Sequence, residues 1–188
     1  ISDAGCFSFY PTKNMTVGGD GGMVTTDNEE TRDKIRSIRD NGRGGTRNTF
    51  IRFGYTMRLN SVNAAMGRVQ LRTLDEKNKR RQEIAELYRK KLKDDIVLPE
   101  NSNGKSVYHQ IVIKHKKRDL IQKHLMEKNI QTAIHYPIPI HKQPIYEPLG
   151  LKLENSEKFS NEILSLPSYP TLDNESIMTV CDEINKIL

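Results

Sequence analysis

The feature that most constrains this chain is a proline and a lysine set between two short apolar segments. Phe7-Ser8-Phe9-Tyr10 runs into Pro11, then Thr12, Lys13 and Asn14; Gly18-Gly19-Asp20-Gly21-Gly22 then leads into Met23-Val24. Pro11 has no N–H and a fixed φ, so a central strand cannot continue through it. The glycines let the chain reverse closely behind it. The spacing predicts strand, loop and strand, with Lys13 on a tight loop where the first strand ends. A lysine held there beside aromatic groups loses part of its solvation. That favours the neutral amine, the form that attacks a carbonyl. The competing reading is an ordinary solvated surface charge.

The rest of the chain follows the same grammar. Residues 3–9 read as a buried strand and 23–26 as its neighbour. Asp27-Asn28-Glu29-Glu30 supplies a capping side chain and first-turn acids, so a helix is expected to about residue 39, with Ile35 and Ile38 inward. Asn41-Gly42 is its left-handed stop. Strand, turn, strand and helix make an α/β unit. Residues 42–53 read as a loop. Its glycines argue mobility or close backbone approach, and its arginines argue an anion contact or simple solvation. From Asn60 or Ser61, Val62, Ala65, Met66 and Val69 recur at helical spacing, followed by Ile84, Leu87, Tyr88 and Leu92. One long helix to about residue 93 is expected, with Gly67 its weak point. Such a helix can bridge two domains, and the boundary is placed near Asp75. Beyond a polar loop at 99–105, the pattern predicts a strand over 107–114 and a helix over 118–127, with Leu120, Ile121, His124 and Leu125 grouped. A strand over 130–136, a helix over 156–164 and a last helix from 173 follow.

Composition narrows the functional classes. The 188 residues, 35% hydrophobic and 29% charged, suit one globular domain or one and a half. No apolar run reaches the roughly 18 residues of a membrane helix, and no charged-then-apolar leader is visible. Cys6 and Cys181 are too few for a disulfide framework, so a reducing cytoplasm is expected. The net charge of +6 suits nucleic acid, an anionic membrane or a phosphorylated ligand. The basic residues of the long helix interleave with acids, however, and no nucleic-acid signature accompanies them; neither nucleic acid nor membrane is expected as a partner. The glycines at 18–22 lack a following Gly-Lys-Ser/Thr and a strand-to-helix dinucleotide context. His135 and His141, six apart with prolines between, could suggest metal ligands. No cysteine or acid cluster completes such a set, and no metal is expected. Each is either a structural histidine or a substrate contact; His109 and His124 read as structural.

Three stretches together resemble one family. They are Ser8-Phe9-Tyr10-Pro11-Thr12-Lys13-Asn14 with its glycine turn; Gly54-Tyr55-Thr56-Met57-Arg58-Leu59 with the helix carrying Ala64-Ala65, Gly67 and Gln70-Leu71; and His135-Tyr136-Pro137-Ile138-Pro139-Ile140-His141-Lys142-Gln143-Pro144. In order and spacing they resemble the DegT/StrS-like sugar aminotransferases, fold-type-I α/β enzymes that use pyridoxal 5′-phosphate (PLP). The resemblance implies that Lys13 is the lysine that condenses with the cofactor aldehyde, and that Ser8 lies near the cofactor phosphate. Thr56 stands where family members commonly have an asparagine that helps bind this phosphate across a dimer; its hydroxyl can still donate, with a shorter reach. His135, Tyr136 and His141 would lie beside the substrate. The loop at 42–53 would reach the neighbouring subunit's active site.

By the same resemblance the activity is transfer of an amino group, usually from glutamate, to a nucleotide-linked keto-sugar. The setting is cell-surface polysaccharide biosynthesis in a cytoplasmic homodimer. Residues 1–75 would be the C-terminal part of the large PLP-binding domain with the start of the bridging helix, and 76–188 the small α+β domain. A complete member carries a further stretch before this one, with the aspartate facing the pyridine nitrogen, the stacked aromatic and the Gly-Thr phosphate loop. This chain therefore corresponds to the C-terminal half, as a fragment or as one of two chains, and is not expected to hold PLP tightly alone. Two alternatives stand beside this reading. One is a related sugar dehydratase, whose members replace the lysine with histidine, so that Lys13 counts against it. The other is a non-catalytic or regulatory remnant of the same fold.

Overall fold

The first strand stops short of Pro11, as the ring requires. In this computed structural model, which describes residues 3–99 and 104–188, β1 (Gly5–Ser8) pairs antiparallel with β2 (Gly22–Thr25), from Gly5↔Thr25 to Ser8↔Gly22. Phe9 N–H extends the pairing by donating to Gly21 O at 2.8 Å. The expectation of a buried strand is corrected: Cys6, Phe7, Ser8 and all of β2 are exposed. Two strands alone have too few neighbours to cover both faces of a ribbon.

Next comes α1 (Glu29–Ile38). Asn28 caps it by accepting from Thr31 N–H at 2.8 Å, and Glu29 and Glu30 place negative charge in its first turn. It ends at left-handed Asn41 (φ 60°) and Gly42 (φ 79°), with Gly42 N–H on Ser37 O. A Cβ on Gly42 would lie 1.7 Å from Arg52 O, so only glycine fits there. Residues 42–52 form a hairpin-like return, with Ile51 N–H bonded to Gly42 O and Gly44 N–H to Thr49 O.

The single long helix is also corrected. α2 (Ser61–Leu71), capped by Asn60, and α3 (Leu74–Lys91) are separate. The break is at Arg72-Thr73, where the last amides of α2 tighten onto carbonyls three residues back and Thr73 Oγ1 donates to Gln70 O. Gly67 does not break the helix. It is buried where a Cβ would come within 3.0 Å of Val17, so its smallness serves close packing.

The chain divides into two compact units, Ile1–Asp75 and Glu76–Leu188, the division falling in the first turn of α3. The second unit adds β3 (Ile111–Lys114), α4 (Arg118–Glu127), 3-10 turns at Ile140–Lys142 and Pro144–Leu149, α5 (Glu154–Glu162), β4 (Ile163–Leu166) and α6 (Asn174–Ile187). β3 and β4 are antiparallel, from Ile111↔Leu166 to Lys114↔Ile163. Here the predicted strand over 107–114 shortens to four residues, because Tyr108 takes a left-handed bend at φ 41°. The predicted strand over 130–136 reduces to one bridge, Ala133↔Ser165. The helix predicted to 164 ends at Glu162, and the apolar run before Pro167 becomes β4, a strand the pattern did not predict. Residues 100–103 of the expected polar loop lie outside the described residues.

Alternation on β3 turns Ile111 and Ile113 inward. They join Ile84, Tyr88, Ile121, Leu125, Leu164, Ile177 and Ile184 in one buried cluster. Leu120, grouped with Ile121, His124 and Leu125 by spacing, is exposed; Ile121 and Leu125 carry the packing of α4. Arg118 is buried too, its guanidinium donating to Ile163 O at 2.9 Å and Ser160 O at 3.2 Å, which ties α4 to the α5–β4 junction. The 3-10 segment is pinned by buried His141, whose Nε2 donates to Glu157 Oε1 of α5 at 3.0 Å, with Lys142 Nζ 3.2 Å from the same oxygen.

Two outcomes follow from this packing. Ile121→Ala removes side-chain bulk from a closed core and should cost about 2–5 kcal/mol in urea unfolding followed by circular dichroism, whereas exposed Leu120→Ala should stay within about 0.5 kcal/mol. His141, then Lys142, holds the Glu157 carboxyl below the usual glutamate range. Its stabilising contribution is therefore present above the unfolded-state pKa and is lost as pH falls through the depressed folded value. Melting temperature should drop on acidification through that window, and less steeply in His141→Gln; equal slopes would contradict the assignment.

Candidate active site

Lys13 sits on the loop that β1 and β2 hold shut. Its own N–H donates to Tyr10 O at 2.8 Å, closing a turn over Pro11 and Thr12. The loop is anchored at both ends, by Phe9 N–H on Gly21 O and by Asn63 Nδ2 of α2 on Val17 O at 2.8 Å. Phe9 and Val17 are buried beneath it. A half-buried amine thus stands on a backbone with little freedom, and no hydrogen bond or ion pair holds its Nζ among the described residues. Ser8 lies at the end of β1, five residues before it, on the same loop. Its hydroxyl accepts a long bond from Tyr10 N–H at 3.4 Å, which leaves its proton to donate elsewhere. A primary amine and a hydroxyl on one short segment are the groups that a phosphorylated aldehyde needs, so these residues fit PLP.

Thr56 lies in the same unit, next to the turn that ends α1. It bridges Asp40, and its hydroxyl donates to Asn41 Oδ1 at 2.7 Å. Asp40 in turn accepts from Arg58 Nη1 at 2.5 Å. In this chain Thr56 is therefore engaged with Asn41, not hydrogen-bonded to Ser8 or Lys13. Asn41 is the residue that sequence reasoning missed as a side chain, having been read only as a helix stop. The left-handed backbone that makes it a stop also turns its amide toward Thr56.

The remaining candidates belong to the second unit. His135 Nδ1 is 2.9 Å from Ser165 Oγ, and its ring meets Tyr136 edge-on at 5.4 Å. Tyr136 is largely exposed, together with Ile138 and Ile140. His141 is turned the other way, buried on Glu157. Within the motif, Tyr136 faces outward, His135 is half-buried against Ser165, and His141 fastens the segment that carries them. Ser165 and Glu157, which set these two orientations, carried no motif or spacing signal; each is brought to its histidine only by the tertiary fold. Among the described residues no group of histidines, cysteines and acids could hold a metal ion.

Known proteins resemble this chain over most of its length. Residues 1–185 match the DegT/DnrJ/EryC1/StrS aminotransferase family. The erythromycin biosynthesis sensory transduction protein EryC1 of Saccharopolyspora erythraea is 40% identical, over 93% of this chain and 49% of that protein. A dTDP-3-amino-3,6-dideoxy-alpha-D-galactopyranose transaminase of Aneurinibacillus thermoaerophilus is 36% identical, over 99% of this chain and 52% of its own length. The crystal structure of NtdA from Bacillus subtilis with bound cofactor PMP superposes with a TM-score of 0.89 at 31% identity, covering 98% of this chain and 46% of that one. The chain thus spans about half the length of the relatives it matches, and it has the fold of that half. It is a member of the DegT/DnrJ/EryC1/StrS aminotransferase family.

Proposed function

We propose that this chain is the C-terminal half of a PLP-dependent aminotransferase that delivers an amino group, from glutamate, to a nucleotide-linked keto-sugar. The observation that carries the reading is Lys13, an amine without an ion pair among the described residues on a loop anchored at both ends. When bound, PLP supplies the electron sink for the carbanion formed at the substrate carbon. Lys13 Nζ would hold the cofactor through its aldehyde and, when freed, would move a proton at the substrate carbon. Ser8 Oγ donates to the cofactor phosphate. Thr56 would donate its hydroxyl across a homodimer on leaving Asn41 Oδ1, which accepts it here. His135 and Tyr136 contact the sugar nucleotide, with Ser165 orienting the imidazole and His141 holding the segment in place.

The remaining polypeptide of the large domain, whether part of the same chain or separate, would occupy the apolar groove of about 770 Å³ between the β1–β2 ribbon and α1. Phe7, Met23, Val24, Ile38, Met57 and Leu59 line it. The exposed Phe50, Ile51 and Phe53 offer further apolar surface to a protein partner. Free Cys6 and Cys181, and described helices none of which is long and apolar enough to cross a membrane, are consistent with work in the cytoplasm on precursors of surface polysaccharides. A second reading, a regulatory member without catalysis, draws on the name of the EryC1 relative.

Borohydride reduction with added PLP and the other half, followed by peptide mapping, separates the two. The label should fall on Lys13, and Lys13→Arg should lower turnover by about a thousandfold or more. Absence of label at Lys13 in the completed protein would favour the regulatory reading. The chain by itself should lose PLP on gel filtration.

A further inference from the structure

The groove between the β1–β2 ribbon and α1 carries charge of one sign. Phe7, Met23 and Val24 of the ribbon give it an apolar floor, each 40% or more exposed. Arg32 and Arg36 stand at i and i+4 on α1, Arg39 caps its end, and all three line the groove. Among the described residues no aspartate or glutamate lines it. Arg32 is engaged by Asp33 at 2.9 Å and by Glu29 at 3.1 Å. Arg36 and Arg39 make no ion pair or side-chain hydrogen bond among the described residues. The Asp33 carboxylate, bonded to Arg32, feels Arg36 only through space.

Whatever covers the floor must also meet these cations. A two-stranded ribbon is marginal by itself, and the chain spans about half the length of its relatives, so further polypeptide is the natural covering layer. A purely apolar layer would draw the Arg36 and Arg39 guanidinium groups out of water with nothing to pair them, at a high cost in free energy. Arginine does not escape that cost by losing its proton. A carboxylate answers it, accepting two parallel hydrogen bonds from one guanidinium. Arg36 and Arg39 are three residues apart, which asks for two carboxylates roughly 5–6 Å from one another.

We propose that the segment seated in this groove is acidic as well as apolar: its apolar side chains fill the floor, and two of its carboxylates pair with Arg36 and Arg39. The occupant is a segment of the remaining half of the large domain. The inference rests on the reading that such a half completes this one, and it adds the chemistry by which the two recognise each other.

The test uses the complete protein, with both halves of the large domain present. Cys6 lines the groove and is exposed in this chain, whereas Cys181 is buried. Maleimide labelling of Cys6, read by peptide mapping, should be at least about a hundredfold slower than that of a free cysteine peptide. Arg36→Gln combined with Arg39→Gln strands the partner carboxylates and should speed labelling by about tenfold or more; Lys34→Gln, on the polar side of α1, should not. A neutral covering layer gives the opposite sign, because removing two buried charges then tightens the contact. Carbodiimide treatment of Arg36→Lys and of Arg39→Lys, which keep the charge, should join the new amine to a carboxylate outside these 188 residues. Circular dichroism checks folding, and the crosslinking variants replace the double variant if it unfolds. Unhindered labelling of Cys6, labelling unchanged or slowed in the double variant, or crosslinks confined to a second copy of this chain would overturn the inference. Borohydride label on Lys13 with Cys6 fully reactive would keep the aminotransferase and reject this contact; protected Cys6 with no label on Lys13 would do the reverse.

Discussion

The antiparallel pairing of β1 with β2 is the constraint from which the candidate chemistry descends. It brings Phe9 and Gly21 together, so the intervening residues must form a closed loop. Pro11 and the Tyr10–Lys13 turn consume the freedom that remains, and Asn63 of α2 fastens the far side. A lysine on a floating loop would sample many positions and spend most of its time solvated. Here the backbone beneath it is held by hydrogen bonds at three points, and reactivity depends on such preorganisation. The ribbon is in turn poorly covered: its side chains look out over an apolar groove, the condition expected of one layer in a larger sheet domain.

The second unit stands on different physics. Its β3–β4 ladder is short, but α3, α4 and α6 contribute to one closed apolar cluster. Ser165 has two roles there. Its backbone pairs with Ala133, which stops the incoming chain from wandering, and its hydroxyl meets His135 two residues later. His141 and Glu157 then fix the other end of the same segment. Half-buried His135 and exposed Tyr136 lie between two buried anchors, an arrangement that sets the direction of a surface side chain without burying it.

Local chemistry was readable where a single residue decides the backbone. Pro11, the Asn28 cap, the Asn41-Gly42 stop, the Asn60 start and the span of α4 could all be located from side-chain type alone. What escaped was decided at a distance. The apolar run at 163–166 suits a helix end or a strand, and only the partner β3 settles it. The break at Arg72-Thr73 has no proline or glycine to announce it, while Gly67, which looked like a weak point, is a packing contact with Val17. Burial of the first strand failed as an expectation because apolar side chains register an environment, and that environment is not supplied by these residues. At the candidate site, Lys13 was singled out by its place between Pro11 and the glycine turn, and Ser8 by the family resemblance alone. Asn41, Ser165 and Glu157 were not, because each acts on a residue 15 or more positions away.

The account turns on the cofactor being bonded to one particular amine. The most direct measurement is the visible absorbance of PLP added to the completed protein, compared between the natural sequence and Lys13→Ala. The account predicts a bound-cofactor band whose position differs from free PLP in the natural protein, and only free-aldehyde absorbance in Lys13→Ala. The same shifted band in both proteins would show that another amine holds the cofactor, and would contradict the central claim.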